Sequence, residues 1–183
     1  DQARWLAARI WEAARELHLP VNAAAVFTPS NRLGRSLAEL LKQEGLPARF
    51  CTSRGMEIED RSVKVMTLYA AKGLEFGTVF IVGLNDGMLP HSRAFEEPEE
   101  MEGERRVFYV GVTRAEDRLF LSHVFRRTIF GSSDLSEPSR FLADIPAKLK
   151  SNSRSQDSAQ RRGMQAPMNL RRSARCASPG TRS

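Results

Sequence analysis

Apolar residues recur at helical spacing near the amino end, and farther on they give way to short unbroken apolar runs. Over residues 2–17, Leu6, Ile10, Ala13, Ala14 and Leu17 share one face. That periodicity predicts an amphipathic helix, with Asp1 as its cap and Pro20 barring its continuation. Residues 23–27 form an apolar run of strand length. Ser30 or Asn31 is placed to cap a second helix over 33–44, with Leu33, Leu37, Leu40 and Leu41 inward and Gly45 at its stop. A short strand at 48–51 and a polar loop at 52–61 follow. The β-branched runs 63–68 and 78–82 read as strands, and 90–98 as a loop. A helix over 99–115 starts with glutamates, where the helix dipole favours them. A strand at 119–123 and a short helix at 139–142, after Pro138, complete the series. Strands alternating with helices predict an α/β domain with a mainly parallel sheet flanked by helices.

Composition changes this picture mainly at the carboxyl end. The formal charge is +6, but residues 151–183 hold seven Arg and one Asp, so residues 1–150 sum to zero. The basic balance therefore belongs to the tail and says nothing about what the domain binds. Ser-, Arg- and Gln-rich and free of aromatic residues, the tail cannot bury enough surface to order itself. We expect a folded domain at 1–150 and a disordered basic tail at 151–183. Two cysteines, Cys51 and Cys176, with no CxxC or Cys/His cluster, indicate neither a zinc site nor a disulfide framework. No apolar run approaches the roughly 18 residues that span a bilayer, so no membrane partner is expected. A soluble, cytoplasmic protein is the expectation, and Asp rather than Met at position 1 suggests a longer parent chain.

Two segments carry candidate chemistry. In TLYAAKGLEF (67–76), Gly73 permits a tight turn or close backbone approach, and Lys72 and Glu75 supply a cation and an acceptor. Loops at the carboxyl ends of parallel strands are where α/β domains bind ligands, and this segment follows a strand. On these residues alone, a solvated loop with an ordinary Lys and Glu fits as well. In ERRVFYVGVTRA (104–115), Arg105, Arg106 and Arg114 lie on or at the end of an apolar helix. Pairing with Glu102 and Glu104 is the plainer reading, above all for Arg106.

Together the segments resemble the late motifs of UvrD/Rep-like superfamily 1 DNA helicases. The pattern V-x-V-x-T-x-H-x-x-K-G-L-E-F is met at Val63, Val65, Thr67, Lys72, Gly73, Leu74, Glu75 and Phe76. Y-V-x-x-T-R-A is met at Tyr109, Val110, Thr113, Arg114 and Ala115. Asn31, Arg35, Leu37, Gly45, Pro47 and PSRFL (138–142) extend the resemblance, and only a short loop stands where larger members carry a helical insertion between Phe50 and Val63. The resemblance implies a second RecA-like motor domain of the P-loop NTPase type, in compact form. It implies that Gly73 and Glu75 lie near ATP, the glutamate towards the ribose, and that Arg114 reaches the γ-phosphate as an arginine finger. Thr67, Tyr69 and Lys72 would then face single-stranded DNA. Tyr69 takes the place of the family's histidine, keeping a flat ring for stacking and a hydroxyl for a phosphate contact. Pro29 and Gly103 are further departures.

No G-x-x-x-x-G-K-[ST] occurs, nor a magnesium-binding Asp-Glu pair after a strand. ATP and Mg²⁺ would be held mainly by an N-terminal motor domain of the same protein, and this chain alone is expected not to hydrolyse ATP. The competing expectation is a non-catalytic, helicase-derived module that binds nucleic acid or protein. DNA repair, recombination and plasmid transfer are equally open as settings.

Overall fold

Residues 24–28 and 77–82 are buried without interruption because their sheet is covered on both sides. The computed structural model describes residues 2–52, 60–124, 126–129 and 132–151, with the backbone alone at 126–129 and 132–135. In order come α1 (Gln2–Glu16), β1 (Ala24–Thr28), α2 (Asn31–Gln43), β2 (Ala48–Phe50), β3 (Val63–Thr67), β4 (Phe76–Val82), α3 (Pro98–Val112), β5 (Ala115–Ser122), β6 (Arg126–Ile129) and β7 (Ser132–Leu135). The first five strands form one parallel sheet in the order β2-β3-β1-β4-β5. β6 and β7 pair antiparallel as a separate hairpin, which the sequence pattern did not predict.

Alternate residues of each strand feed two cores, as the period-2 geometry of a strand requires. Val26, Val65, Phe80 and Val82 meet Leu6, Ile10, Leu37 and Leu41 of α1 and α2. Phe27, Met66, Val79 and Ile81 meet Leu68, Phe108 and Phe141 on the opposite face, beneath α3. The α/β architecture with helices flanking a parallel sheet is therefore as expected.

Boundaries and faces differ in places. α2 buries Gly34, Leu37, Ala38 and Leu41. Leu40, expected inward, is 47% exposed, because its position lies about a third of a turn from the centre of that face. Ser30 is the cap, its side chain accepting from the Leu33 amide. Gly45, at φ 79°, ends the helix with the Leu46 amide on the Leu41 carbonyl and its own on Lys42, the paired bonds of a Schellman stop. α3 begins at Pro98 and closes at Val112, so β5 starts at Ala115 rather than 119. Among the described residues, no helix is long and apolar enough to cross a membrane.

All of these elements belong to one unit, Asp1–Ile145; a second, Pro146–Ser183, is described only through Ser151 and holds one 3-10 turn, Ala147–Leu149. The expected cap at Asp1, most of the 52–61 loop and nearly all of the expected tail lie outside the described residues.

Candidate functional site

The strand order decides where the candidate residues go. β3 and β4 both run parallel to β1, which lies between them, so the chain leaving the carboxyl end of β3 must return to the amino-terminal edge of the sheet before β4 begins. Residues 68–75 make that passage. Thr67 is level with Thr28 at the carboxyl ends of the strands, and Phe76 is paired with Ala115 at the amino ends. At about 3.3 Å per residue, the length of β4 puts these edges roughly 20 Å apart.

The passage is built from the residues upward. The Thr67 hydroxyl accepts from the Ala70 amide at 3.3 Å and starts a 3-10 turn, Leu68–Ala71. Leu68 and Ala71 are buried against the sheet, while Tyr69 is 62% exposed. Gly73 follows at φ 81°, a left-handed conformation that side chains rarely adopt, with open space where a Cβ would stand. Lys72, Gly73 and Glu75 are exposed, and Leu74 is half-buried. The Phe76 amide then bonds the Arg114 carbonyl at 3.0 Å, which ties the end of the passage to the turn between α3 and β5.

Arg114 stands in that turn, two residues beyond the helix. Its Nε donates to the Val110 carbonyl at 3.1 Å and its Nη1 to the Leu74 carbonyl at 3.2 Å. Its Nη2 donates to the Thr113 hydroxyl at 3.1 Å. All three acceptors are neutral, and among the described residues no carboxylate pairs with the guanidinium. An arginine in this state keeps a full positive charge for an incoming anion.

Thus Gly73, Glu75 and Arg114 come together, through Leu74, at the amino-terminal edge. Thr67 and Tyr69 lie at the carboxyl-terminal edge. Because β3 and β4 run parallel, the 67–76 segment starts at the carboxyl ends of the strands, where α/β domains commonly bind ligands, and finishes at the amino ends.

α3 packs along this passage. A Cβ on Gly111 would lie 2.1 Å from Leu68 Cδ2, so the glycine is what lets the helix approach. Farther up α3, Glu104 accepts from the Tyr69 hydroxyl at 3.1 Å and from the His91 amide at 3.2 Å. Desolvation, then the charge of Glu104 and the hydrogen bond to it, push the Tyr69 hydroxyl above its ordinary pKa, so it remains a donor at neutral pH. Arg105 turns away to Glu102, at 3.6 Å, to Asp144 and to the Phe141 ring. Arg106 is exposed.

Sequence reasoning missed Glu104, which lies 35 positions from Tyr69 and reads as an ion-pair partner of its neighbours. It also missed Asn85, whose side chain bonds both the amide and the carbonyl of Val124 and the carbonyl of Glu137. A lone Asn in a loop carries no linear signal of such distant backbone partners.

Known proteins are similar to this chain in sequence and in fold. The family described as UvrD-like helicase C-terminal domain matches residues 35–125. The ATP-dependent DNA helicase PcrA of Bacillus subtilis (strain 168) is 52% identical over 91 residues, 50% of this chain and 12% of its own length. The ATP-dependent DNA helicase UvrD1 of Mycobacterium leprae is 53% identical over 87 residues, 48% of this chain and 11% of its own. DNA helicase II of Haemophilus influenzae is 37% identical over 134 residues, 73% of this chain and 17% of its own. The chain therefore spans between 11% and 17% of the length of these relatives. Among solved structures, the C-terminal domain of a possible DNA helicase from Lactobacillus plantarum WCFS1 superposes with a TM-score of 0.56 at 20% identity, over 80% of this chain and 74% of that one, and shares the fold. Through residues 35–125, this chain belongs to the family of UvrD-like helicase C-terminal domains.

Proposed function

We propose that the chain is the second motor half of an ATP-dependent DNA helicase or translocase, with residues 1–150 as the motor domain and 151–183 as a basic tail. One observation carries this reading. The eight residues 68–75 begin beside Tyr69 at one edge of the sheet and end on Arg114 at the other, so a ligand at either edge pulls on the same segment.

At the amino edge, Glu75 offers an acceptor for a ribose hydroxyl, and Gly73 leaves room beside it. Arg114 exchanges neutral acceptors for phosphate oxygens. The guanidinium then faces oxygens that carry charge, in bidentate geometry, in place of neutral dipoles, so the exchange is favourable. ATP with Mg²⁺ supplies the phosphoryl transfer, and an N-terminal RecA-like motor domain of the same protein holds most of the phosphates and the metal. At the carboxyl edge, Thr67 and Tyr69 grip single-stranded DNA, with Lys72, exposed in the passage that follows, adding a cation for its backbone. Arg114 makes closure of the two halves depend on the γ-phosphate, which turns hydrolysis into movement along the strand.

The test is Arg114→Ala in the full-length protein. ATPase activity falls by roughly 10³–10⁵, the range for an arginine finger, while single-stranded DNA binding persists. Unchanged ATPase ends the finger assignment. A wild-type protein that binds DNA without hydrolysing ATP is instead a non-catalytic module, and loss of that binding on deleting residues after Lys150 locates it in the tail.

A further inference from the structure

The end of α3 aims the side chain that follows it. The helix closes at Val112, and Thr113 is its C-cap. The Thr113 hydroxyl has one proton, and it donates that proton to the Val110 carbonyl at 3.0 Å, three residues back. Such a back-bond fixes the rotamer of a threonine at a helix end. It also leaves a lone pair of the oxygen to accept from Arg114 Nη2 at 3.1 Å. The same Val110 carbonyl accepts from Arg114 Nε at 3.1 Å. Val110, Thr113 and Arg114 thus close a small ring of hydrogen bonds, and the Nε and Nη2 side of the guanidinium fork lies on the helix end. Nη1 reaches the Leu74 carbonyl. A guanidinium has five N–H groups, so one on Nη1 and one on Nη2 stay without a partner among the described residues. A free N–H on each terminal nitrogen is what bidentate bonding to two oxygens of one anion requires.

We propose that Thr113 is the positioning residue for Arg114: its hydroxyl sets the roll of the guanidinium so that both free N–H groups meet a phosphate together. This rests on the reading of Arg114 as the arginine finger and names the group that orients it. Thr113 itself touches no nucleotide. Phosphate oxygens take the two free N–H groups first, and the bond to Thr113, on the other N–H of Nη2, need not break. A long side chain is therefore ordered before the chemical step instead of during it, which lowers the entropy cost of reaching the transition state.

The experiment measures steady-state ATPase of the full-length protein, with single-stranded DNA present, for wild type, Thr113→Val, Thr113→Ser and Arg114→Ala. Thr113→Val keeps the branched shape and removes the acceptor. The Val110 carbonyl still accepts from Arg114 Nε, so no backbone group is stranded. Positioning predicts that Thr113→Val lowers kcat on the order of 10²-fold, the cost of a displacement of about 1 Å, while KM for ATP hardly moves. Thr113→Ser keeps the hydroxyl and recovers most of kcat. A purely structural cap would instead lower the Tm of Thr113→Val and leave its kcat at the wild-type value. That result, or equal losses in Thr113→Val and Thr113→Ser, overturns the positioning role and leaves the arginine finger standing if Arg114→Ala is inactive. Wild-type ATPase in Arg114→Ala, or no ATPase in the wild type, overturns both. Thr113 is exposed, and circular dichroism of each variant checks that the fold is retained.

Discussion

Two glycines on α3 receive the same substitution with opposite expected results. Alanine at Gly111 would put a methyl 2.1 Å from Leu68 Cδ2 and 3.4 Å from Ile81 Cδ1. Carbon atoms pack best at about 3.5–4.0 Å, so the first contact is more than an ångström too short. Leu68 and Ile81 are 1% and 0% exposed, so neither can swing into solvent. Overpacking of this kind costs about 1–3 kcal/mol. Against it stands the helical preference of alanine over glycine, up to about 1 kcal/mol in a helix interior and smaller at Gly111, the second residue from the helix end. The net is a loss of about 1–2 kcal/mol. For a unit of this size, that lowers Tm by roughly 2–8 °C. At Gly103 nothing stands within 4 Å of the added Cβ, and the position is well inside the helix. There the same change stabilises by about 0.5–1 kcal/mol and raises Tm by roughly 1–4 °C. Thermal unfolding followed at 222 nm reads both. A Gly111→Ala protein as stable as Gly103→Ala would mean that α3 does not rest on Leu68, and the coupling of the helix to the 68–75 passage would fall with it.

Asn85→Ala leaves backbone groups of Val124 and Glu137 without their partner and costs about 1–3 kcal/mol, read as a lower urea midpoint at unchanged slope; an unmoved midpoint would show that water replaces the side chain without loss. The Ser62 hydroxyl and amide, with Lys64 and Arg49 beside them, hold the Asp60 carboxyl below its usual range. Because the folded pKa is depressed, this stability is present above the ordinary carboxylate range and is lost as pH falls below about 4. Asp60→Asn should flatten that limb of a stability-versus-pH curve relative to wild type, and an identical acid limb would refute the assignment. Lys64, 5% exposed, donates to the Asp60 and Ser62 carbonyls at 2.6 and 3.0 Å, so Lys64→Met strands both and lowers Tm by more than an exposed substitution such as Lys72→Met.

Local physics made most elements readable. The Ser30 cap, the Gly45 stop and the apolar run of β1 act within a few residues of themselves, and each was legible. The motif positions of Thr67, Gly73, Glu75 and Arg114 were legible too, since residue types and spacing are linear facts. The β6–β7 hairpin was not, because Arg-Arg-Thr-Ile and Ser-Ser-Asp-Leu carry no apolar alternation. Leu40 misled because an apolar residue just off the buried face of a helix still fits a loose helical period.

What the sequence determined by itself was thus the set of elements, the α/β class and the motifs that tie the chain to its family, all of which depend on neighbours in the chain. Only the tertiary structure decided that the 68–75 segment runs from the carboxyl ends of the strands to their amino ends. That outcome follows from the parallel pairing of β3 and β4 with β1, a long-range choice made by packing two apolar faces. The same packing set Arg114 on the Leu74 carbonyl and Tyr69 on Glu104, contacts across 40 and 35 positions that no local preference encodes.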